Sequence, residues 1–252
     1  METTAGYVDV NGLHMYYEDC GDGSPLVLLH GGMMSVDLSF ADLIPELATR
    51  HRVIALEAQG HGRTADIDRS ITPAALASDV VGLLDQLGLD RAHVLGHSQG
   101  AATALELAVS YPDRVRSVVP MSASVRMEGM HEDLTDPVRQ ATSTRMPTQQ
   151  DFAAMQETYA RLSPHPDHFN DFFVSLAQSA ADLQGWSDEQ LAAITAPTLL
   201  VIGDRDFVTI EHGALMLELI PGSSLAVLPG ATHMDVTRRG DLLLPMLAAF
   251  LD

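Results

Sequence analysis

The chain has 252 residues, of which 34 are acidic and 14 are basic, so its formal net charge is −20. All 14 basic residues are arginines, and the absence of lysine excludes Walker-type phosphate loops, Schiff-base and pyridoxal enzymes, and serine–lysine dyads, which need an amine. The negative charge also disfavours nucleic acid and anionic membranes as partners, because basic residues supply most of the affinity for phosphate groups.

The composition is that of a globular protein, with 46% hydrophobic and 19% charged residues. The single cysteine, Cys20, has no partner for an internal disulfide, and no apolar run approaches the ~18 residues of a membrane span. Residues 1–17 lack the basic start and apolar stretch of a signal peptide. We therefore expect a soluble, cytoplasmic protein, and the composition leaves monomer and homodimer open.

Short apolar runs alternate with helical patterns along the chain. Asn11-Gly12, between residues 7–10 and 13–18, predicts a β-hairpin. Continuous apolar runs predict further strands buried on both faces at residues 25–30, 52–57, 92–95, 115–119 and 197–202, with a weaker one at 224–228. Thr72-Pro73 and Gly88 mark the start and end of a helix. This alternation predicts an α/β fold with a mostly parallel sheet and helices on both faces.

Residues 122–195 interrupt this alternation. They contain methionines, aromatic residues, prolines and helical patterns, but no convincing strand. We predict a small helical cap inserted between two sheet strands, so that residues 1–121 and 196–252 form the core domain. Such a cap would cover the carboxyl edge of the sheet, where open α/β folds bind their ligands.

The segment Gly96-His97-Ser98-Gln99-Gly100 lies between the strand at 92–95 and a predicted helix at 101–109. The pattern Gly-x-Ser-x-Gly at a strand-to-helix turn is that of a nucleophile elbow, in which flanking glycines allow a sharp turn that exposes the serine hydroxyl. A plain tight turn is the alternative interpretation. The strand-turn-helix context favours Ser98 as a nucleophile.

A serine nucleophile needs a base, and the base needs an acid that orients it. Gly203-Asp204-Arg205-Asp206 follows one predicted strand, and His233 follows another. The chain order Ser98, Asp206, His233 is that of elbow-type hydrolases. Asp204 is a second candidate acid, for which we expect a turn role with a hydrogen bond to its own backbone.

These motifs resemble those of the α/β-hydrolase superfamily, and the resemblance covers essentially the whole chain. His30-Gly31-Gly32 after the third strand and Gly60-His61-Gly62-Arg63-Thr64 after the fourth belong to the same pattern. The resemblance implies that Asp206, the fourth residue of Gly-x-x-Asp, is the triad acid. It implies loop-shaping roles for the histidines of these motifs, His30, His61 and His97.

An oxyanion intermediate needs two backbone donors. The N–H of Gln99, after the nucleophile, is expected to be one of them. The resemblance assigns the second to Gly32, with Met33 as the runner-up. Glu57 stands where relatives often have aspartate, a difference that affects local packing more than chemistry.

The identity of the nucleophile narrows the class of reaction that the resemblance allows. Dehalogenase-like and epoxide-hydrolase-like relatives use aspartate in place of Ser98, and hydroxynitrile lyases of this fold use a lysine. Carbon–carbon hydrolases of ring-cleavage pathways usually carry tryptophan where Met234 follows His233, and cofactor-independent haloperoxidases tend to place an aromatic residue at Gly32. The sequence therefore predicts a carboxylesterase that forms an acyl-enzyme on Ser98.

Four methionines flank predicted site residues: Met33, Met34, Met121 and Met234. Flexible thioether side chains suit apolar acyl groups, so we predict small to medium apolar esters as substrates. Ordinary core packing is the alternative role for these methionines.

Other functions stay open at this point. A lactonase or thioesterase would use the same triad, and a slow-turnover receptor for small ligands or a noncatalytic scaffold could retain it. No cofactor or metal is expected. His165 and His168 are the one pair of histidines near a metal-binding spacing, and beside Pro164 and Pro166 they are more typical of a polar loop than of a metal site.

Overall fold

The computed structural model describes residues 3–134, 136–181 and 185–251. Eight strands form one sheet in the order β1-β2-β4-β3-β5-β6-β7-β8. Their bounds are β1 Thr3–Val10, β2 Leu13–Cys20, β3 Ser24–Leu29, β4 His51–Leu56, β5 Ala92–His97, β6 Val115–Met121, β7 Leu199–Arg205 and β8 Ser224–Thr232. Strand β2 pairs antiparallel with β1 and β4, and the other neighbours are parallel. The predicted α/β class with a mostly parallel sheet is confirmed.

Ten α-helices accompany these strands in the described part of the chain. Their bounds are α1 Val36–Phe40, α2 Ile44–Leu47, α3 Pro73–Gln86, α4 Gln99–Ser110, α5 Pro137–Gln140, α6 Gln149–Leu162, α7 Phe169–Ala181, α8 Asp188–Ala192, α9 Ile210–Leu219 and α10 Gly240–Leu251. Thr72 caps α3 as predicted, since its hydroxyl accepts a hydrogen bond from the Ala75 N–H. Over the described ranges, no helix combines the length and apolar character needed to cross a membrane.

The hairpin and the sheet follow from local sequence. Asn11 and Gly12 both adopt positive φ, as a two-residue hairpin turn requires. In β3, Leu26 and Leu28 pack on one face of the sheet while Val27 packs on the other, which explains the continuous apolar run. Helices α3, α4 and α9 contribute to the first apolar layer, and α1 and α10 contribute to the second.

Helices α5 to α8 lie within the predicted cap range 122–195. A third apolar cluster joins α6 and α7 to the loops of the core: Met33, Met34, Ile71, Leu76, Met155, Tyr159, Phe169, Phe172 and Met234. The end of the range behaves differently, because Trp186, Leu191 and Ile194 pack in the core layer of α3 and α4.

Candidate active site

Ser98 lies at a strained turn between β5 and α4. Its φ is 53° and its ψ is −113°, and its N–H donates to the Met121 carbonyl at 2.9 Å. An added Cβ at Gly96 would lie 2.1 Å from the Gly100 carbonyl oxygen, and one at Gly100 would lie 2.1 Å from the Leu29 carbonyl oxygen. Only glycine fits these two positions, so the sequence pattern reflects the geometry of the elbow.

The structure brings Ser98, His233 and Asp206 together. The Ser98 hydroxyl lies 2.9 Å from Nε2 of His233, and Nδ1 of His233 lies 2.7 Å from Oδ1 of Asp206. An Nδ1–H donor to the carboxylate leaves Nε2 free to accept the serine proton. The three side chains form the hydrogen-bonded chain that a serine nucleophile needs.

Asp206 is fully buried and receives hydrogen bonds on both carboxylate oxygens. Besides His233, Oδ1 accepts from the Phe207 N–H at 2.6 Å, while Oδ2 accepts from the Gly203 N–H at 3.2 Å and from the Ser122 hydroxyl. Burial by itself raises the pKa of Asp206, but His233 and these donors outweigh burial and hold the pKa well below its usual range. Asp206 therefore stays ionised.

Ser122 and Phe207 are contacts of the acid that the sequence analysis missed. Ser122 follows β6 directly and adopts a positive φ of 56°, which is uncommon for serine. A polar residue at this strand end was the signal that could have indicated a hydrogen-bond donor to Asp206.

Asp204 lies apart from the triad. Its side chain is exposed and accepts a hydrogen bond from the Gly230 N–H at 2.7 Å. Asp204 therefore links the ends of β7 and β8, whereas the sequence analysis expected a bond to its own backbone.

The loop after β3 and the start of α4 supply backbone donors next to Ser98. The Met33 N–H, the runner-up oxyanion donor, is already used in a hydrogen bond to Nε2 of His61 at 3.0 Å. The N–H groups of Gly32 and Gln99 have no hydrogen-bond partner among the described residues. Leu176 of α7 covers Gly32, since an added Cβ there would lie 3.0 Å from the Leu176 side chain.

Three buried histidines hold the loops around the site. Nε2 of His30 accepts from the Ala58 N–H at 3.1 Å, and Nε2 of His61 accepts from Met33. His97 donates from Nε2 to the His233 carbonyl at 2.9 Å. Burial lowers the pKa of His30 to about 4 and the pKa values of His61 and His97 to about 3. All three are therefore neutral near pH 7 and bind as fixed tautomers.

The four methionines separate into two environments. Met33, Met34 and Met234 belong to the apolar cluster that also contains residues of α6 and α7. Met121 is fully buried at the end of β6 and packs in the core layer with Leu95. Met121 thus lies outside the cluster that contains the other three methionines.

Glu57 fills the space beneath the loop that carries His61. Its carboxylate accepts hydrogen bonds from the Arg63 N–H at 2.5 Å and from Arg63 Nη1 at 2.7 Å. Burial raises the pKa of Glu57 to about 7, against the lowering effect of Arg63. The Glu57 carboxylate packs closely against this loop, since an added Cβ at Gly62 would lie 2.2 Å from it.

We expect the Glu57→Gln variant to change the pH dependence of stability. Between about pH 4.5 and 7 the unfolded chain loses the Glu57 proton while the folded protein retains it, so the folded state binds more protons. The free energy of unfolding of the wild type should therefore fall by roughly 3 kcal/mol relative to the variant across that window. Urea denaturation of both proteins at several pH values measures this difference. A difference that is independent of pH would contradict it.

No group of three or more histidine, cysteine, aspartate or glutamate side chains within the described ranges could hold a metal ion. His165 and His168 have ring centroids 5.8 Å apart in the cap. The groups that meet at Ser98 are a hydroxyl, an imidazole, a carboxylate and backbone N–H groups.

Comparisons with known proteins point to one family. The family model of the alpha/beta hydrolase fold matches residues 24–151. A 2-hydroxy-6-oxononadienedioate/2-hydroxy-6-oxononatrienedioate hydrolase of Pseudomonas putida is 30% identical, covering 88% of this chain and 85% of its own length. A 2-hydroxy-6-oxo-6-phenylhexa-2,4-dienoate hydrolase of Burkholderia cepacia is 27% identical, with 92% and 90% covered.

One solved structure is also similar to this chain over nearly its whole length. An N-acyl homoserine lactone degrading enzyme superposes with a TM-score of 0.77 at 26% identity, over 97% of this chain and 99% of that one. The family model covers half of the chain, and the relatives cover nearly all of it. The chain therefore belongs to the α/β-hydrolase fold family, and it is a hydrolase.

Proposed function

We propose that the protein is a serine hydrolase that cleaves small to medium apolar carboxylic esters through an acyl-enzyme on Ser98. The observation that carries the proposal is the chain of hydrogen bonds from the Ser98 hydroxyl through His233 to Asp206. Such a chain activates a serine for attack on a carbonyl carbon.

In the first step, Ser98 Oγ attacks the ester carbonyl and its proton passes to Nε2 of His233. Asp206 stabilises the resulting imidazolium through Nδ1–H. The unpartnered N–H groups of Gly32 and Gln99 are the donors for the negative oxygen of the tetrahedral intermediate. The intermediate then collapses, the ester C–O bond breaks, and the alcohol leaves with the proton held by His233.

In the second step, water attacks the acyl group on Ser98. His233 takes a proton from the water and returns it to Ser98 Oγ as the acid product departs. No cofactor enters this scheme, and the proposed partner is a small-molecule ester.

The substrate class rests on the apolar cluster beneath the cap. Met33, Met34 and Met234 meet α6 and α7 there, and Leu176 covers Gly32. Apolar side chains on both sides of the loop that carries Gly32 favour a substrate with an apolar acyl or alcohol group. The net charge of −20 disfavours anionic substrates.

Two other substrate classes deserve a test because relatives use them. The N-acyl homoserine lactone degrading enzyme supports a lactone, which is a cyclic ester open to the same chemistry. The 2-hydroxy-6-oxo-dienoate hydrolases support a carbon–carbon cleavage as a second alternative. Thioesters would also react with this triad.

A substrate panel tests the proposal. The panel contains nitrophenyl esters with acyl chains of two to eight carbons, an N-acyl homoserine lactone, an acyl thioester and 2-hydroxy-6-oxo-6-phenylhexa-2,4-dienoate. We expect the highest kcat/KM for a short or medium ester, at about 10⁴ M⁻¹ s⁻¹ or above. A higher kcat/KM for the lactone, the thioester or the dienoate would overturn the ester assignment and identify that compound's class as the substrate class. Saturable binding without turnover of any of them would overturn the hydrolytic proposal and favour a receptor.

A further inference from the structure

Phe207 contacts both the base and the acid of the site. Its ring stacks on the imidazole of His233, with centroids 4.0 Å apart and planes inclined by 14°. Its backbone N–H donates to Oδ1 of Asp206 at 2.6 Å, and the same oxygen accepts from Nδ1 of His233. No motif in the sequence indicated a role for this residue.

The cap fixes the backbone on both sides of Phe207. The His131 N–H donates to the Phe207 carbonyl at 2.8 Å, and the Thr209 N–H donates to the Gly129 carbonyl at 2.9 Å. Arg145 Nη1 donates to the Asp206 carbonyl at 3.0 Å. The ring of Phe207 is therefore held over His233 by hydrogen bonds of its own segment as well as by packing.

A stack of this kind favours the protonated imidazole. The face of an aromatic ring carries negative charge density and attracts cations, and the attraction is stronger where water is excluded. His233 is buried, and in the proposed first step it gains the proton of Ser98. The phenyl face is therefore in contact with the positive charge at the stage where that charge develops.

The other groups that face His233 define the electrostatic setting. The Asp206 carboxylate lies at Nδ1, the Ser98 hydroxyl at Nε2, and the ring of His97 at 5.0 Å between centroids. Burial lowers the pKa of His97 to about 3, so this ring carries no charge near pH 7. The guanidinium of Arg145 contacts the Asp206 carbonyl and disfavours a second positive charge nearby.

We infer that Phe207 is a positioning residue, whose ring stabilises the imidazolium form of His233 and fixes the orientation of the imidazole between Ser98 and Asp206. The predicted effect of Phe207 on ester turnover rests on the proposed function. Its effect on the protonation of His233 does not depend on turnover.

The test compares Phe207→Leu, which keeps an apolar side chain but removes the aromatic face, with Phe207→Tyr, which retains that face. For a nitrophenyl ester we expect kcat to fall about 5- to 30-fold in the leucine variant and to stay within about 3-fold in the tyrosine variant. Loss of the face favours neutral His233, so the acidic limb of the kcat/KM profile should move to lower pH by up to about one unit. Phe173→Leu, on the exposed side of α7, is the matched control and should leave the limb in place.

An NMR titration of isotope-labelled histidine separates this inference from the proposed function. We expect the midpoint for His233 to be lower in Phe207→Leu than in the wild type and in Phe207→Tyr, whether or not the protein turns over esters. The inference would be overturned if the titration midpoint of His233 and the acidic limb of the kcat/KM profile were both unchanged in a Phe207→Leu variant that unfolds at the same temperature as the wild type. Equal losses in the leucine and tyrosine variants would overturn it as well, because packing alone would then explain them.

Discussion

Ser98→Ala should abolish ester turnover. The variant lacks the nucleophile, so no acyl-enzyme forms, and we expect kcat to fall by about 10⁴-fold or more. The side chain of Ser98 is only part-buried and its loss leaves the elbow backbone intact, because alanine keeps the Ser98 N–H that donates to Met121. Steady-state kinetics on the best ester of the panel measures the effect.

The control for this variant is its stability. We expect the thermal unfolding midpoint of Ser98→Ala to equal or exceed that of the wild type, since active-site groups are placed for function at a cost in stability. Residual activity above about one hundredth of the wild type, in protein free of contaminating esterase, would show that another group attacks the substrate.

Asp206→Asn should have the second largest effect. An asparagine amide can donate to Nδ1 of His233 and so stabilise the tautomer with a proton on Nε2, which cannot accept the serine proton. We expect kcat to fall by about 10³- to 10⁴-fold while the side-chain volume is preserved. Kinetics at several pH values measures the loss and shows whether hydroxide restores part of the rate.

Asp204→Asn is the matched control, because the two carboxylates are two residues apart on the same strand end. Asp204 is exposed, and its hydrogen bond from the Gly230 N–H can be retained by an asparagine oxygen. We expect kcat within about twofold of the wild type. Similar losses in both variants would contradict the assignment of the acid to Asp206.

The parallel strands β3, β4, β5 and β6 were readable from the sequence because most of their residues are buried on both faces. Residues 25–29 are apolar at every position, and Asn11-Gly12 has the backbone freedom that the hairpin turn needs. The strand ends were harder to place. Strand β7 extends through Arg205 and β8 through Thr232, where exposed residues continue the ladder after the apolar run has ended.

The triad geometry could be expected because its members occur at turns that the sheet brings to one edge. The elbow glycines are required by contacts of 2.1 Å, so the pattern around Ser98 records a steric constraint. Which backbone donors stay free could not be read in the same way. The Met33 N–H is occupied by His61, a contact between residues 28 positions apart that depends on how two loops fold.

Side-chain surroundings were the least predictable part. Met121 and Met234 both flank site residues, but Met121 lies in the core layer and Met234 lies in the apolar cluster with α6 and α7. Phe207 and Ser122 donate hydrogen bonds to different carboxylate oxygens of Asp206, and neither residue belongs to a motif. The proteins similar to this chain also include a 2-hydroxy-6-oxo-6-phenylhexa-2,4-dienoate hydrolase, although the single residue Met234 had argued against a carbon–carbon hydrolase.

The most direct test of the proposed acyl-enzyme is covalent capture of the nucleophile. A fluorophosphonate reacts with an activated serine and leaves a stable adduct, which intact-protein mass spectrometry and peptide mapping can locate. We predict stoichiometric labelling of Ser98 in the wild type, strongly slowed labelling in Asp206→Asn, and none in Ser98→Ala. Labelling at another residue, or equally slow labelling of wild type and Asp206→Asn, would contradict a serine nucleophile activated by His233 and Asp206.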